Sequence, residues 1–165
     1  MSIADELDKI FEQRVFRTKA QGLMLRRLAH LFFEGFVAYV GANPNVWNKP
    51  NGKVGGQRVK LGEGQGDEFK PTVWTHLAVS LGAIEFSIAY TLSCRESGSA
   101  YEIIVPVVIR AIDDGYLVTF GRLDEEFLVS RIEDLEGRFD SVYAAIIEGL
   151  KPLVDPNSVI LHKVK

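Results

Sequence analysis

The feature that most constrains this fold is a strict alternation of residue types near the middle of the chain. From Ile84 to Leu92 every second residue is large and apolar, and the residues between them are Glu, Ser, Ala and Thr. Successive side chains of a β-strand point to opposite faces of the sheet, so a period of two predicts a strand with one buried and one solvated face. Such a strand needs neighbouring strands and an apolar layer over its buried face.

Two apolar runs after this strand predict its neighbours. Residues 101–112 are apolar at nearly every position, and Pro106 within them predicts a bulge or an edge position, because proline has no N–H to donate to a sheet. The sequence Asp113–Gly115 is typical of a tight hairpin turn and leads into a further strand at 116–121. A shorter strand is predicted at 126–130.

Residues 72–81 are predicted to form a strand before the alternating one. The side chains that would share its apolar face are Val73, Leu77, Val79 and Leu81. Together, these segments predict an antiparallel meander of four to five strands within residues 71–130.

The first 42 residues are predicted to be helical. Ser2 and Asp5 match a capping box, and Gly41 is a typical stop signal. Apolar residues repeat at helical spacing in two sets, namely Ile3, Leu7, Ile10, Phe11 and Val15, and then Leu23, Met24, Leu28, Leu31, Phe32, Phe36 and Val40. We interpret the two stripes as offset from each other, which leaves open whether the region is one long helix or two.

Residues 43–70 form a glycine-rich connection without a sustained period. We expect a short strand at about 57–61 and mobility across 50–68. The glycines follow a G-x-G-x-G pattern, whereas a dinucleotide-binding loop needs G-x-G-x-x-G between a strand and a helix, and a P-loop needs Lys-Ser or Lys-Thr after its last glycine. Neither motif is present, and no cofactor is predicted.

Residues 131–153 predict an amphipathic helix that packs on the sheet, with Ser130 and Glu133 as its capping box. The remaining residues, 154–165, are predicted to be a tail. The whole chain, residues 1–165, is therefore predicted to be a single α+β domain. Its order of elements is similar to that of cystatin-like folds and of secretion-chaperone folds, without a shared motif.

Residues that carry chemistry are few and scattered. His30 and Glu34 have the spacing of two metal ligands on one helical face, but no third ligand lies nearby, so a packed histidine is favoured and no metal site is predicted. Cys94 is the single cysteine, and the arginine beside it can lower its pKa, but no base is placed next to it by the sequence. No catalytic residue is predicted.

Composition limits the cellular compartment and the classes of partner that we expect for this chain. The chain of 165 residues is 47% hydrophobic, with a net charge of −3 and a pI near 5.7, which argues against nucleic acid as a partner. Its most apolar helical stretch contains Glu34 and is about half a bilayer in length, so we expect no membrane span. A start rich in acidic residues and a single cysteine favour a cytoplasmic protein.

Two functions from different classes fit these observations. The first is a non-catalytic intracellular module that binds a protein partner or itself as a homodimer, because aromatic residues within the first 47 positions fall outside the main apolar stripe. The candidate contact residues are Phe33, Phe36, Tyr39 and Trp47.

The alternative is a small-ligand-binding protein or an enzyme. Its pocket would lie between a curved sheet and the N-terminal helices. The candidate lining residues are Trp74, His76, Tyr90 and Arg110. The solvated face of the sheet near His76 and Arg110 is the other place where a ligand is expected.

Overall fold

The structure, a computed structural model, describes residues 2–113, 115–121, 126–130 and 139–154. It shows a long N-terminal helix, an antiparallel sheet and a C-terminal helix, which confirms the predicted α+β class and the order of its elements. The strands are β1 (Trp47–Asn48), β2 (Val54–Gly56), β3 (Val59–Glu63), β4 (Lys70–Pro71), β5 (Val79–Ser80), β6 (Ala83–Ser93), β7 (Ala100–Ile112), β8 (Gly115–Phe120) and β9 (Phe127–Ser130).

Seven of these strands form one antiparallel sheet within the described residues. Its order is β4-β3-β6-β7-β8-β9, and β5 pairs with the first two residues of β6. Strands β1 and β2 form a separate two-stranded sheet. The alternating segment is β6, which pairs with β7 in one continuous register from Ala83↔Arg110 to Ser93↔Ala100.

The hairpin between β7 and β8 is as tight as predicted. Ile112 pairs with Gly115, so only two residues lie between the paired positions. Asp114, one of those two, lies outside the described residues. The alternation of apolar runs around Asp-Asp-Gly was therefore sufficient to place this turn.

Pro106 lies where β7 loses its neighbour β8. The last paired residues are Val107 and Phe120, and the Pro106 carbonyl accepts a hydrogen bond from the Gly121 N–H at 2.8 Å. The N–H and C=O of one residue point the same way in an antiparallel ladder, so the missing N–H of Pro106 faces the side on which β8 ends. Neither predicted alternative holds for the strand, because β7 lies between β6 and β8 and its register with β6 contains no bulge; Pro106 is tolerated because the paired part of β8 ends beside it.

The strand predicted over 72–81 is wrong for most of its length. Trp74–His76 form a single turn of 3-10 helix, and only Val79–Ser80 pair with β6. Leu81, expected on the apolar face, is fully exposed at the tip of the β5–β6 hairpin, where its φ is +50°. Alternate apolar positions gave the period of a strand, but only Leu77 of the predicted face is buried.

The glycine-rich connection is more structured than predicted. It contains β1, β2 and β3, and Val59 of β3 is fully buried. The short strand expected at 57–61 is present as Val59–Glu63. The predicted mobility across 50–68 stays a prediction, although β3 within it is hydrogen-bonded to β6 on one side and to β4 on the other.

Helix α1 spans Ile3–Tyr39 without a break, so the N-terminal region is one helix. The Ser2 hydroxyl accepts a hydrogen bond from the Asp5 N–H, and the Asp5 carboxylate accepts one from the Ser2 N–H, as the predicted capping box requires. Gly41 follows the helix at a φ of +70°, a left-handed conformation that glycine adopts without strain.

Helix α2 spans Asp140–Val154. The prediction began this helix at 131, but Phe139 lies in a turn before the first helical residue. Residues 131–138, which hold the second half of the predicted capping box, lie outside the described residues, as does the tail from 155 onward.

The core lies between one face of the sheet and the two helices. It includes the side chains of Leu25, Leu28, Phe32, Phe36, Ile84, Phe86, Ile88, Val107, Ile109, Val118, Val142 and Ile146. The ring of Phe32 meets those of Phe86, Phe139 and Tyr143 edge to face, with centroids 5.0 to 5.6 Å apart. The Tyr143 hydroxyl donates to the Phe32 carbonyl at 2.9 Å, which joins α2 to α1.

Gly35 in α1 and Gly149 in α2 offer a matched test of this helix contact. A Cβ at Gly35 would overlap the Tyr143 hydroxyl, whereas a Cβ at Gly149 would meet no atom of the described residues within 4 Å. We predict that Gly149→Ala stabilises the fold by about 0.5–1 kcal/mol through backbone entropy. Gly35→Ala should destabilise it by about 1–3 kcal/mol through overpacking. Urea unfolding at one protein concentration measures both changes, and a stabilising effect of both variants would contradict the contact between α1 and α2.

Candidate functional site

The first half of α1 extends away from the sheet. The first buried residue of the helix is Gly22. Before it, five large apolar side chains are mostly exposed: Phe16 (74%) and, together on another face of the helix, Ile3 (77%), Leu7 (61%), Ile10 (63%) and Phe11 (66%). Residues 3–21 amount to about 28 Å of helix at 1.5 Å per residue. We call this segment the projecting half of α1.

The apolar stripe of the projecting half continues the face that packs on the sheet. At 3.6 residues per turn, Ile3, Leu7, Ile10 and Phe11 lie within about 60° of Leu25 around the helix axis. The interpretation of two offset stripes is therefore wrong. A single stripe runs along α1, and polar residues such as Arg14 and Thr18 interrupt it near the middle.

The impression of an offset came from residues on other faces of the helix. Met24 and Leu31 lie beside the core-facing stripe, Leu23 lies on the far side of the helix from it, and each is at least one-third exposed. Phe16 is also exposed and lies on the side opposite to the stripe. Apolar residues alone therefore did not separate the face that packs from the faces that do not.

Charged residues flank the exposed stripe in an ordered way. Glu6 and Arg17 lie along one flank, and Asp8 and Lys19 lie along the other, at 3.6 residues per turn. On each flank, the acidic residue is nearer the N-terminus and the basic residue is nearer the sheet. None of these four side chains forms an ion pair with another residue in the part of the chain that the structure describes.

The predicted contact residues do not form one surface. Phe36 is 1% exposed and packs against Tyr143 in the core, so it is not available to a partner, which corrects that part of the prediction. Its position belongs to the core-facing stripe rather than to a second one. Phe33 is half-buried against the core.

The side chains of the other two predicted contact residues pack against residues of their own chain. Tyr39 is partly exposed, and its ring lies 5.5 Å from that of Tyr143. The Trp47 ring lies against Gly55 and Gly56 of β2, where any side chain at Gly55 would overlap it. The exposed apolar surface of α1 is thus found at the opposite end of the helix from these residues.

The predicted pocket residues do not converge either. Trp74 stacks on His30 with ring centroids 5.3 Å apart, which gives His30 the packed role expected of it, and His76 is exposed. Tyr90 packs against the core and therefore lies on the face of β6 that is covered by α1, whereas its neighbour Ala89 lies on the other face. Arg110 pairs with Ala83 and therefore lies on the opposite face of the sheet from Tyr90.

A groove of about 830 Å³ lies on the face of the sheet that carries Arg110. Glu85 and Arg110 contribute to its floor, and its walls are lined by Glu63–Gln65 on one side and by Ala78, Ser80 and Leu81 on the other. The Glu63 carboxylate accepts a hydrogen bond from the Ala78 N–H at 3.0 Å, which ties one wall to the other. Neither Glu85 nor Arg110 is ion-paired with another described residue. The groove lies on the sheet face that the sequence predicted to be solvated. Along β6 this prediction holds for Glu85 but is wrong for Ser87, Ala89 and Thr91, which are buried.

Cys94 is exposed in the turn between β6 and β7. Hydrogen bonds from the Ser97 hydroxyl and from the backbone N–H groups of Ser97 and Glu96 lower the pKa of its thiol, while the Glu96 carboxylate opposes this shift. The cause is therefore the turn itself rather than the neighbouring arginine. Among the described residues, no base for nucleophilic catalysis is hydrogen-bonded to this thiol.

The described part of the chain contains neither a metal-binding cluster nor a membrane-spanning helix. Within it, no group of three or more His, Cys, Asp or Glu side chains is arranged to hold a metal ion. None of its helices combines the length and apolar character needed to cross a bilayer. No family model matches the chain, and no match was found among curated proteins or among solved structures.

Proposed function

We propose that this chain is a non-catalytic protein-binding module and that the projecting half of α1 is its binding element. The supporting observation is the row of four exposed side chains, Ile3, Leu7, Ile10 and Phe11, which continues the core-facing stripe. Full burial of such side chains contributes about 1.5–3 kcal/mol each, so a partner gains roughly 6–12 kcal/mol before the costs of association.

The geometry fits a helix that docks along an apolar surface. The anchors recur at three- and four-residue spacing, which is the pattern by which helices bind grooves or other helices. A separate helix of this length is only marginally stable in water. Here the packed half of α1 already forms the helical turns that nucleate the projecting half. The binding segment is therefore helical before it meets a partner.

The cytoplasmic setting expected from the sequence is part of this proposal. The chain has one cysteine, which is exposed and has a lowered pKa, and such a thiol persists in a reducing compartment.

A photoreactive residue in the stripe tests whether the projecting half touches another protein. Benzoylphenylalanine in place of Leu7 should give protein adducts in an extract of the source cells, with this chain or with another. The same residue in place of Lys9, on the opposite face of the helix, is the matched control and should give few. Absence of protein adducts from position 7, or equal yields from both positions, would contradict the proposal.

The groove on the sheet favours a second candidate function, the binding of a small ligand. Its volume of about 830 Å³ falls in the range of ligand sites, and Arg110 and Glu85 place opposite charges on its floor. The space between the sheet and α1, where the sequence placed the pocket, is filled by core side chains such as Phe32 and Ile88. This second candidate therefore belongs to the other face of the sheet.

Thermal unfolding in the presence of small carboxylates tests this second candidate. A carboxylate that pairs with Arg110 should raise the melting temperature in proportion to the logarithm of its concentration, because it binds only the folded state. Arg110→Gln should remove the effect and leave the ligand-free melting temperature within a few degrees, since Arg110 is exposed. If no carboxylate distinguishes the two proteins, the candidate is wrong for this ligand class.

A further inference from the structure

We infer that the projecting half of α1 binds a second copy of this chain and that the two helices pair in antiparallel orientation along residues 3–21. This inference rests on the proposed function, since it names the partner of the same surface. Two observations support this inference. One is the order of charges along the flanks of the stripe, and the other is the position of the sheet relative to the stripe. Each excludes the parallel arrangement on separate grounds.

Charge favours the antiparallel pair. When two identical helices pair antiparallel, the same flank of each helix faces the other. Glu6 then meets Arg17 of the second copy on one side, and Asp8 meets Lys19 of the second copy on the other. Two-fold symmetry repeats both pairs, so these four contacts are between opposite charges, whereas Glu12, which lies on the Asp8 flank near the two-fold axis, meets its own copy.

A parallel pair would bring like charges together. In that arrangement, one flank of the first helix faces the other flank of the second. Glu6 would lie beside Asp8 of the second copy, and Arg17 would lie beside Lys19. The same four residues therefore oppose one orientation and support the other.

The body of the domain gives an independent reason. From Gly22 onward, the face of α1 that carries the stripe is covered by its own sheet. Two parallel helices that met through this stripe would bring both sheets into the same space. In the antiparallel pair the two sheets lie at opposite ends, and the N-terminus of each helix reaches the place where the other sheet begins.

The overlap has a definite centre. Pairing along residues 3–21 places the two-fold axis near Glu12, so Ile10 and Phe11 of both copies meet in the middle. Ile10 of each copy then lies across from Arg14 of the other, whose aliphatic stem can cover it while the guanidinium reaches solvent. The interruption of the stripe by a long basic side chain is thus compatible with pairing.

Other occupants of the stripe are less well matched. A heterologous partner would explain the exposed apolar residues but not the self-complementary charges on both flanks. We expect the homodimer to have a dissociation constant on the order of micromolar, because the interface is one short helix on each side.

Sedimentation equilibrium of the full chain measures this association directly. The wild-type protein should dimerise, and its dissociation constant should rise about tenfold as salt is raised from about 0.05 to 0.5 M, because salt screens exposed charges. The double variant Glu6→Lys/Asp8→Lys makes all four flank contacts repulsive and should raise the dissociation constant on the order of 100-fold.

Reversal of all four flank charges separates orientation from any effect on the helix. The quadruple variant, with Arg17→Glu and Lys19→Glu added to the same two lysines, should restore the wild-type dissociation constant to within a few-fold. Lys9→Glu, on the opposite face, should leave it unchanged. A parallel dimer would instead show no difference among these variants and would strengthen with salt, which would overturn the inference.

A monomer at all concentrations would also overturn the inference. The experiments distinguish failure of the antiparallel homodimer from failure of the proposed protein-binding function. If the purified chain is monomeric but benzoylphenylalanine at position 7 captures a different protein, self-pairing is wrong and the binding module stands. If position 7 captures nothing and the chain is monomeric, both are wrong.

Discussion

The length of helix α1 is the constraint on which the rest of this structure depends. Its 37 residues span about 55 Å. A compact domain of this chain length has a radius of gyration of about 15 Å and is about 40 Å across. The sheet can cover only part of such a helix, and it covers the part from Gly22 onward. The remainder presents the same apolar face with no layer beneath it in the described part of the chain.

The packed half of α1 fixes the direction in which the other half extends. Phe32 is at the centre of this packing, with aromatic rings from the sheet and from α2 around it. Burial, and to a smaller extent the Asp140 carboxylate, raises the pKa of Tyr143, so its hydroxyl stays protonated and donates to Phe32 through the neutral range. A helix end anchored in this way remains helical beyond the core, because the cost of nucleation is already met.

Local sequence signals predicted the elements that local physics determines. The alternation from Ile84 to Leu92 placed β6, and Asp113–Gly115 placed the hairpin, because side-chain period and turn chemistry do not depend on distant residues. The same reasoning failed over 72–81, where Leu81 has the period of a strand residue but lies at a turn tip. Position relative to the end of the sheet decides such a case, and that position is not a local property.

The candidate site was harder to predict for a related reason. A helical period is the same whether a partner layer covers the stripe or not, so Leu7 and Phe32 look alike in the sequence although only Phe32 is buried. The strand register was needed to show that Tyr90 and Arg110 lie on opposite faces of the sheet. One signal was readable in advance: counting 3.6 residues per turn along α1 would have joined the two stripes and drawn attention to the charges beside them.

The central claim is that one stripe of α1 is covered by the chain's own sheet in its second half and by a second copy in its first half. Amide hydrogen exchange along the helix at different protein concentrations tests this claim most directly. The account predicts that residues 22–39 are protected at every concentration, whereas residues 3–21 exchange rapidly in dilute protein and become at least about tenfold slower in concentrated protein. Exchange rates in residues 3–21 that do not change with concentration would contradict it.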